Sequence, residues 1–99
     1  MKYVLGVDLG TSAVKVILVN QKGEIKAEAT REYPLSHPAP GFSEQNAEDW
    51  VTGSIESIKE IIDSRIVNAA DIEGLSFSGQ MHGLVLIDET GIPLRPAIL

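Results

Sequence analysis

Two short polar segments contain the side chains that could do chemistry, and the first is Asp8-Leu9-Gly10-Thr11-Ser12, between two apolar runs. Gly10 lets the backbone approach a ligand closely. The N–H groups of the turn and the hydroxyls of Thr11 and Ser12 can donate hydrogen bonds to phosphate oxygens. Asp8 repels a phosphate, so it fits such a site only through a bridging Mg²⁺, with water between the carboxylate and the metal. The segment therefore predicts a phosphate site built from Asp8, Gly10, Thr11 and Ser12. An ordinary hairpin turn, in which Asp8 accepts N–H bonds of the turn, has the same composition.

The second polar segment, Gly79-Gln80-Met81-His82-Gly83, also separates two apolar runs. Gln80 and a neutral His82 can each donate and accept a hydrogen bond, which suits a polyhydroxylated ligand. Met81 could pack against the carbon skeleton of that ligand. A tight turn with Gln80 and His82 in solvent and Met81 in the core is the alternative, and the residue types alone leave both interpretations open.

The charge balance and composition exclude several classes of partner. The chain has 8 Lys and Arg against 14 Asp and Glu, a net charge of −6. Because nucleic-acid affinity comes largely from clustered basic residues, we expect no nucleic-acid partner. The absence of cysteine excludes disulfides and thiolate-bound metals. No apolar run approaches the roughly 20 residues of a membrane span, so we expect a cytoplasmic protein with no membrane partner.

The elements that must position these segments begin with three strands, predicted over residues 3–7, 13–19 and 24–33. Short turns join them, which favours an antiparallel meander. After a proline-rich loop, Asn46 is a good N-cap for a helix over residues 47–66. The apolar residues of that helix recur at helical spacing and are expected to face the core: Val51, Ile55, Ile58, Ile62 and Ile66, widened by Trp50 and Ile61.

Two further strands are predicted over residues 74–78 and 84–87, followed by a turn at 88–91. The order β-β-β-α-β makes the fourth strand parallel to one of the first three, through a right-handed crossover. The fold class is therefore α/β with a mixed sheet. One helix cannot cover both faces of that sheet, and the apolar pattern is cut at Leu99. We therefore expect a truncated fold whose exposed apolar surface favours self-association.

The order and spacing of three segments resemble the N-terminal part of the FGGY carbohydrate kinases, most closely their xylulokinase branch. The segments run from Asp8 to Ser12, from Glu44 to Trp50 and from Ser78 to Leu84. The first occurs across the wider actin-like ATPase superfamily, whereas the last is specific to the xylulokinase-like branch. The likeness spans all 99 residues but only the start of a much longer family chain. It implies that residues 1–99 form the N-terminal part of the first kinase domain.

The resemblance implies a ribonuclease-H-like fold of the actin-like ATPase superfamily, with ATP and Mg²⁺ as cofactors. The turn at Asp8 would face the ATP phosphates and Mg²⁺, and Met81 and His82 would line the sugar pocket. The implied reaction is phosphoryl transfer from ATP to D-xylulose, giving D-xylulose 5-phosphate. The family's catalytic base is an aspartate beyond Leu99, so no catalytic residue is expected within this chain and the isolated fragment is expected to be inactive.

Two alternatives accompany this interpretation. The substrate could be another pentulose or a sugar acid, or the chain could belong to a non-enzymatic actin-like protein that uses the nucleotide turn for assembly or regulation. The segment Gln80 to His82 favours a kinase, because an assembly protein has no use for a sugar-binding wall.

Overall fold

The computed structural model describes residues 1–99 as a four-stranded mixed sheet with one long helix, beside a small two-stranded sheet. The elements in chain order are β1 (Tyr3–Leu9), β2 (Ala13–Asn20), β3 (Ile25–Glu32), β4 (Glu44–Gln45), α1 (Ala47–Asp63), a 3₁₀ turn (Ala69–Asp71), β5 (Ile72–Gly79) and β6 (Ala97–Ile98). The large sheet has the order β3-β2-β1-β5, and the small sheet pairs β4 with β6. Strand β5 runs parallel to β1, whereas the other pairs are antiparallel. The predicted meander and mixed α/β sheet are therefore confirmed.

The first strand continues two residues beyond its predicted end at Val7. Asp8 and Leu9 belong to β1 and pair with Lys15 and Val14 of β2. The residues of one strand alternate between the two faces of its sheet. Asp8 lies on the face away from the core, so a charged side chain interrupts the apolar pattern there without ending the strand. The turn itself consists of residues 10–12.

Helix α1 begins where the sequence predicts and ends three residues early. The Asn46 side chain accepts a hydrogen bond from the Glu48 N–H at 3.1 Å, which caps the helix as expected. The helix ends at Asp63 rather than at Ile66, and Arg65 follows in the left-handed region with φ of 59°. A residue with this φ cannot continue a right-handed helix.

The face of α1 that packs on the sheet differs in part from the predicted one. Val51, Ile55 and Ile66 are more than half exposed. The buried residues are Ala47, Gly53, Ser57 and the predicted Ile61, and the predicted Trp50 and Ile58 are partly buried against the core. A Cβ on Gly53 would lie 3.0 Å from Val14 Cγ1, so small residues let the helix approach β2 and β3 closely. The expectation that Val51, Ile55 and Ile66 form the core is therefore wrong.

Strand β5 is longer than predicted, whereas the predicted strand over residues 84–87 is not formed. Only isolated bridges are present there, between Leu84 and Ile98 and between Ile87 and Pro93. No neighbouring strand offers this segment a continuous row of backbone groups. The turn at residues 88–91 is confirmed, because Gly91 has φ of 85° and its N–H donates to the Asp88 carbonyl at 3.0 Å.

The core lies between α1 and the middle of the sheet, where Val14, Val16 and Leu18 are fully buried. Leu75 and Phe77 of β5 lie on the same face but stay 48% and 62% exposed, because α1 packs on β2 and β3 and leaves β5 uncovered. The structure contains no helix that is both long enough and apolar enough to cross a membrane.

Candidate functional site

The parallel pairing of β1 with β5 brings the two polar segments to one edge of the sheet. Asp8 pairs with Ser78, and Leu9 pairs with Gly79. Both strands end at this edge, and the Gln80 N–H donates to the Leu9 carbonyl at 2.9 Å. Ligands of α/β proteins commonly bind beyond the carboxyl ends of parallel strands. The turn after β1 and the segment after β5 therefore form one candidate site.

The carbonyl groups of the turn are all held from inside the protein. The Gly10 carbonyl accepts a hydrogen bond from the Tyr33 hydroxyl, and the Thr11 carbonyl accepts one from Gln45 Nε2. The Ser12 carbonyl accepts one from the Tyr33 N–H at 3.0 Å. Tyr33 and Gln45 are buried. These contacts fix the orientation of each peptide plane in the turn.

The N–H groups of Thr11 and Ser12 consequently face outward, whereas the Gly10 N–H donates to the Ala13 carbonyl at 2.9 Å. In a trans peptide an N–H points opposite to the preceding carbonyl, and the chain has no cis peptide bond. Because the Gly10 and Thr11 carbonyls face inward, the Thr11 and Ser12 N–H groups face solvent, and neither donates a hydrogen bond within the protein. Adjacent backbone N–H groups of this kind form a concave anion-binding surface. The turn therefore offers donors suited to a phosphate.

Asp8 stands beside these donors with a carboxylate that no cation neutralises. It accepts one hydrogen bond, from Ser78 Oγ at 3.1 Å. Its cross-strand neighbour Lys15 is paired instead with Glu28, at 3.2 Å. Asp8 accepts none of the turn N–H bonds that an ordinary hairpin would give it. The carboxylate borders an open groove of about 380 Å³ on the outer face of the sheet.

Asp8 could supply one carboxylate ligand to Mg²⁺, but the protein supplies no complete set of ligands around it. Nowhere in the structure do three or more His, Cys, Asp or Glu side chains gather closely enough to hold a metal ion. A magnesium ion at Asp8 would therefore take its remaining ligands from water and phosphate oxygens, which is how this ion is usually bound in proteins. The carboxylate and the outward N–H groups are compatible with that arrangement.

Gln45 is the polar residue that sequence reasoning did not assign to the site. It is 2% exposed. Its Nε2 donates to the Thr11 carbonyl, and its Oε1 accepts from Trp50 Nε1 at 3.0 Å and from Gln80 Nε2 at 3.1 Å. Gln80 Oε1 in turn accepts from Thr11 Oγ1 at 3.3 Å. A buried glutamine and an exposed one look alike in a sequence, and the only signal for Gln45 was its place in the segment from Glu44 to Trp50 that carries the family resemblance.

Met81 and His82 follow Gln80 and point away from the core. Met81 is 81% exposed, which excludes the alternative that places it in the core. His82 is exposed, its ring makes no hydrogen bond, and its φ of 64° lies in the left-handed region. A non-glycine residue in that region costs free energy, and residues with such backbone strain cluster at active sites and ligand-binding sites.

The surroundings of Tyr33 shift its protonation. Burial raises the pKa of the Tyr33 phenol, and the negative charge of Asp8 raises this pKa further. The phenol therefore keeps its proton, and with it the hydrogen bond to the Gly10 carbonyl, to higher pH than an ordinary tyrosine.

Comparison with known proteins gives consistent matches. The profile of the FGGY family of carbohydrate kinases, N-terminal domain, matches residues 3–99. The xylulose kinase of Bacillus subtilis (strain 168) is 58% identical over 99 residues, which are 100% of this chain and 20% of that protein.

Comparison with solved structures also finds sugar kinases. A "xyloylose kinase" from Brucella ovis superposes with a TM-score of 0.92 at 37% identity, covering 98% of this chain and 20% of that chain. The gluconate kinase from Lactobacillus acidophilus superposes with a TM-score of 0.89 at 28% identity, covering 98% and 19%. The chain spans about a fifth of the length of these relatives.

These likenesses confirm the predicted fold, the ribonuclease-H-like arrangement of the actin-like ATPase superfamily. The family profile matches nearly the whole chain, and the three segments that carry the resemblance meet at one edge of the sheet, joined through Gln45. The chain therefore belongs to the FGGY family of carbohydrate kinases.

Proposed function

We propose that residues 1–99 form the N-terminal part of the first domain of an ATP-dependent sugar kinase, which phosphorylates D-xylulose to D-xylulose 5-phosphate in the cytoplasm. The observation that supports this most is the pairing of β1 with β5, which sets a turn with outward N–H groups beside a segment rich in polar, exposed side chains. Phosphoryl transfer depends mainly on positioning and charge stabilisation, so donor and acceptor sites must adjoin.

At the phosphate side, the turn residues hold the nucleotide. The Thr11 and Ser12 N–H groups and the Ser12 hydroxyl donate to phosphate oxygens, and Gly10 leaves room for them. Asp8 would hold Mg²⁺ through water. When bound, that ion neutralises charge on the phosphates.

At the sugar side, Gln80 and His82 donate to and accept from hydroxyl groups, which fixes the orientation of the sugar. Met81 packs against its carbon atoms. No residue of this chain is assigned the role of general base. We assign that role to an aspartate beyond Leu99, as the family resemblance implies.

A second candidate substrate is a sugar acid or another pentulose. The similarity to a gluconate kinase at a TM-score of 0.89 favours the sugar acid among these. A non-enzymatic role in assembly is less well supported, because the exposed Met81 and His82 side chains would then have no ligand.

The test is a substrate panel with the full-length protein, using ATP, Mg²⁺ and one of D-xylulose, D-ribulose, gluconate or glycerol. ADP release is followed with a coupled assay. We expect the highest kcat/KM with D-xylulose. A higher value with gluconate would support the sugar acid instead, and the absence of sugar-dependent ADP release from the whole panel would refute the kinase proposal.

A further inference from the structure

Gln45 is a buried side chain that touches both halves of the candidate site. Its Nε2 holds the Thr11 carbonyl of the turn, and its Oε1 holds Gln80 Nε2 of the segment after β5. The Thr11 hydroxyl also reaches Gln80, but that 3.3 Å bond is exposed to water and easily exchanged. Gln45 is therefore the protected connection between the two halves.

The orientation of the Gln45 amide is fixed by its partners. The Trp50 indole N–H can only donate, so it must meet Oε1, and the Thr11 carbonyl can only accept, so it must meet Nε2. With Gln80 as a second donor, both lone pairs of Oε1 are used. At 2% exposure, water has little access to replace any of these bonds.

The Thr11 carbonyl determines where the Ser12 N–H points, because the two groups belong to one peptide plane. Gln45 therefore sets the direction of a donor that the proposed function assigns to phosphate. Gln80 holds Gln45 from the other side, and the same proposal assigns Gln80 to the sugar. A chain of hydrogen bonds through one amide thus joins a sugar-binding group to a phosphate-binding group.

We propose that Gln45 is a positioning residue through which sugar binding at Gln80 strengthens phosphate binding at the Thr11–Ser12 peptide. This inference rests on the proposed function. A sugar that fixes the Gln80 amide also fixes the Gln45 amide, and the Thr11–Ser12 peptide is then held with its N–H outward. This role requires that the peptide in the free protein also samples orientations that bind phosphate poorly, so that the sugar shifts the population toward the binding orientation.

The experiment measures this coupling in the full-length protein. The Kd of the Mg²⁺ complex of a non-hydrolysable ATP analogue is determined by calorimetry with and without saturating D-xylulose. We expect the sugar to lower this Kd by about fivefold or more, the lower end of usual coupling between sites. In Gln45→Met, which keeps the length of the side chain and removes its hydrogen bonds, the ratio of the two Kd values should fall to about one.

The matched control is Asn20→Ala. Asn20 is also a buried amide, 6% exposed, but it lies at the opposite end of β2, where its Oδ1 accepts from the Lys22 and Glu24 N–H groups. Its loss should lower stability and leave the Kd ratio at the parent value. If Gln45→Met does not fold, Gln45→Glu serves instead, since its carboxylate keeps the acceptor for Trp50 and Gln80 and loses the donor for Thr11.

The outcomes separate the two proposals. A Kd ratio of one in the parent protein, or an unchanged ratio in the Gln45 variant, would overturn the coupling role. Weaker analogue binding with a preserved ratio would assign Gln45 a structural role only, which also overturns it. A parent protein that phosphorylates no sugar would refute the proposed function, and the coupling role with it.

Discussion

The substitution Asp8→Ala tests the phosphate site most directly. Asp8 makes one hydrogen bond within the protein, from Ser78 Oγ at 3.1 Å, and it lies on the exposed face of β1. The loss of that bond should lower the free energy of unfolding by no more than about 1 kcal/mol. Against a total of about 5–15 kcal/mol, the protein stays folded. A loss of activity in this variant can therefore be attributed to the site.

The expected loss of activity is much larger than the loss of stability. A preorganised charged group that acts in the transition state is worth about 100-fold or more in kcat. At about 1.36 kcal/mol for each factor of ten, this is at least about 2.7 kcal/mol of transition-state stabilisation. We expect kcat of the full-length protein to fall by at least this factor, whereas KM for the sugar should change little because the proposed sugar contacts are made by Gln80, Met81 and His82.

The assay is steady-state ADP release with saturating D-xylulose, with ATP and Mg²⁺ varied. Ser78→Ala is the matched control, because it removes the same hydrogen bond and keeps the carboxylate. It should retain most of the parent kcat. Near-normal turnover of Asp8→Ala, or equal losses in both variants, would refute the assignment of Asp8 to the metal-bound phosphate.

Four further predictions follow from described contacts. Tyr33→Phe should lower the free energy of unfolding by about 0.5–1.5 kcal/mol at neutral pH, because it removes the part-buried hydrogen bond to the Gly10 carbonyl. The pKa of Tyr33 is raised above its ordinary value of 10.0, so the unfolded chain ionises first, and the stability that this residue contributes should be lost as pH rises from 10.0 through the raised pKa. Gly53→Ala should destabilise by about 1–3 kcal/mol, because its Cβ would meet the buried Val14 side chain at 3.0 Å. His82→Ala should lower kcat/KM for the sugar by an amount equivalent to about 1–3 kcal/mol and leave KM for ATP unchanged. Isolated residues 1–99 should show no sugar kinase activity, bind ATP at best in about the millimolar range, and self-associate through exposed apolar residues such as Leu75 and Phe77.

The measurements and controls differ for each prediction. Thermal unfolding across the alkaline range checks Tyr33→Phe, and an unchanged alkaline decline of Tm in that variant would contradict the role of the phenol. Thr52→Ala, on the exposed side of α1, controls for helix propensity beside Gly53→Ala. His82→Asn keeps a residue that tolerates positive φ, so it separates a backbone effect from a lost contact. Light scattering gives the mass of the isolated chain, and sustained turnover by it would mean that the general base lies within these residues.

The large sheet could be predicted from the sequence because its signals are local. Gly23 has φ of 80° in the turn between β2 and β3, and the alternation in β2 buries Val14, Val16 and Leu18 as a period of two requires. The parallel return of β5 follows from the crossover rule. The turn and the alternation depend only on residues that are close together in the sequence. The crossover depends on a general rule of handedness, so a single sequence is enough to predict all three.

The packing face of α1 could not be predicted in the same way. Apolar periodicity selects Val51 and Ile55, but close approach to the sheet is made by Gly53 and Ser57, which no hydrophobic count detects. The prediction of a strand over residues 84–87 was wrong for a related reason. A strand requires a partner along its length, and this segment makes only isolated bridges.

The sequence predicted the two segments of the site but not the hydrogen bonds through Gln45 that connect them. The turn and the segment after β5 were both identified, but the role of Gln45 depends on Thr11 and Gln80, two partners that are distant from it in sequence. Its contact with Gln80 spans 35 residues. Pairings of this kind arise from the three-dimensional arrangement of β1, β5 and the start of α1.

The indole of Trp50 gives this network an optical signal of its own. Trp50 is the single tryptophan of the chain, and its N–H donates to Gln45 Oε1 at 3.0 Å. Indole emission responds to hydrogen bonding and to the polarity around the ring. A change in the Gln45 amide should therefore alter the emission of this indole, so that events at the Thr11–Ser12 peptide acquire an optical signal that needs no attached label.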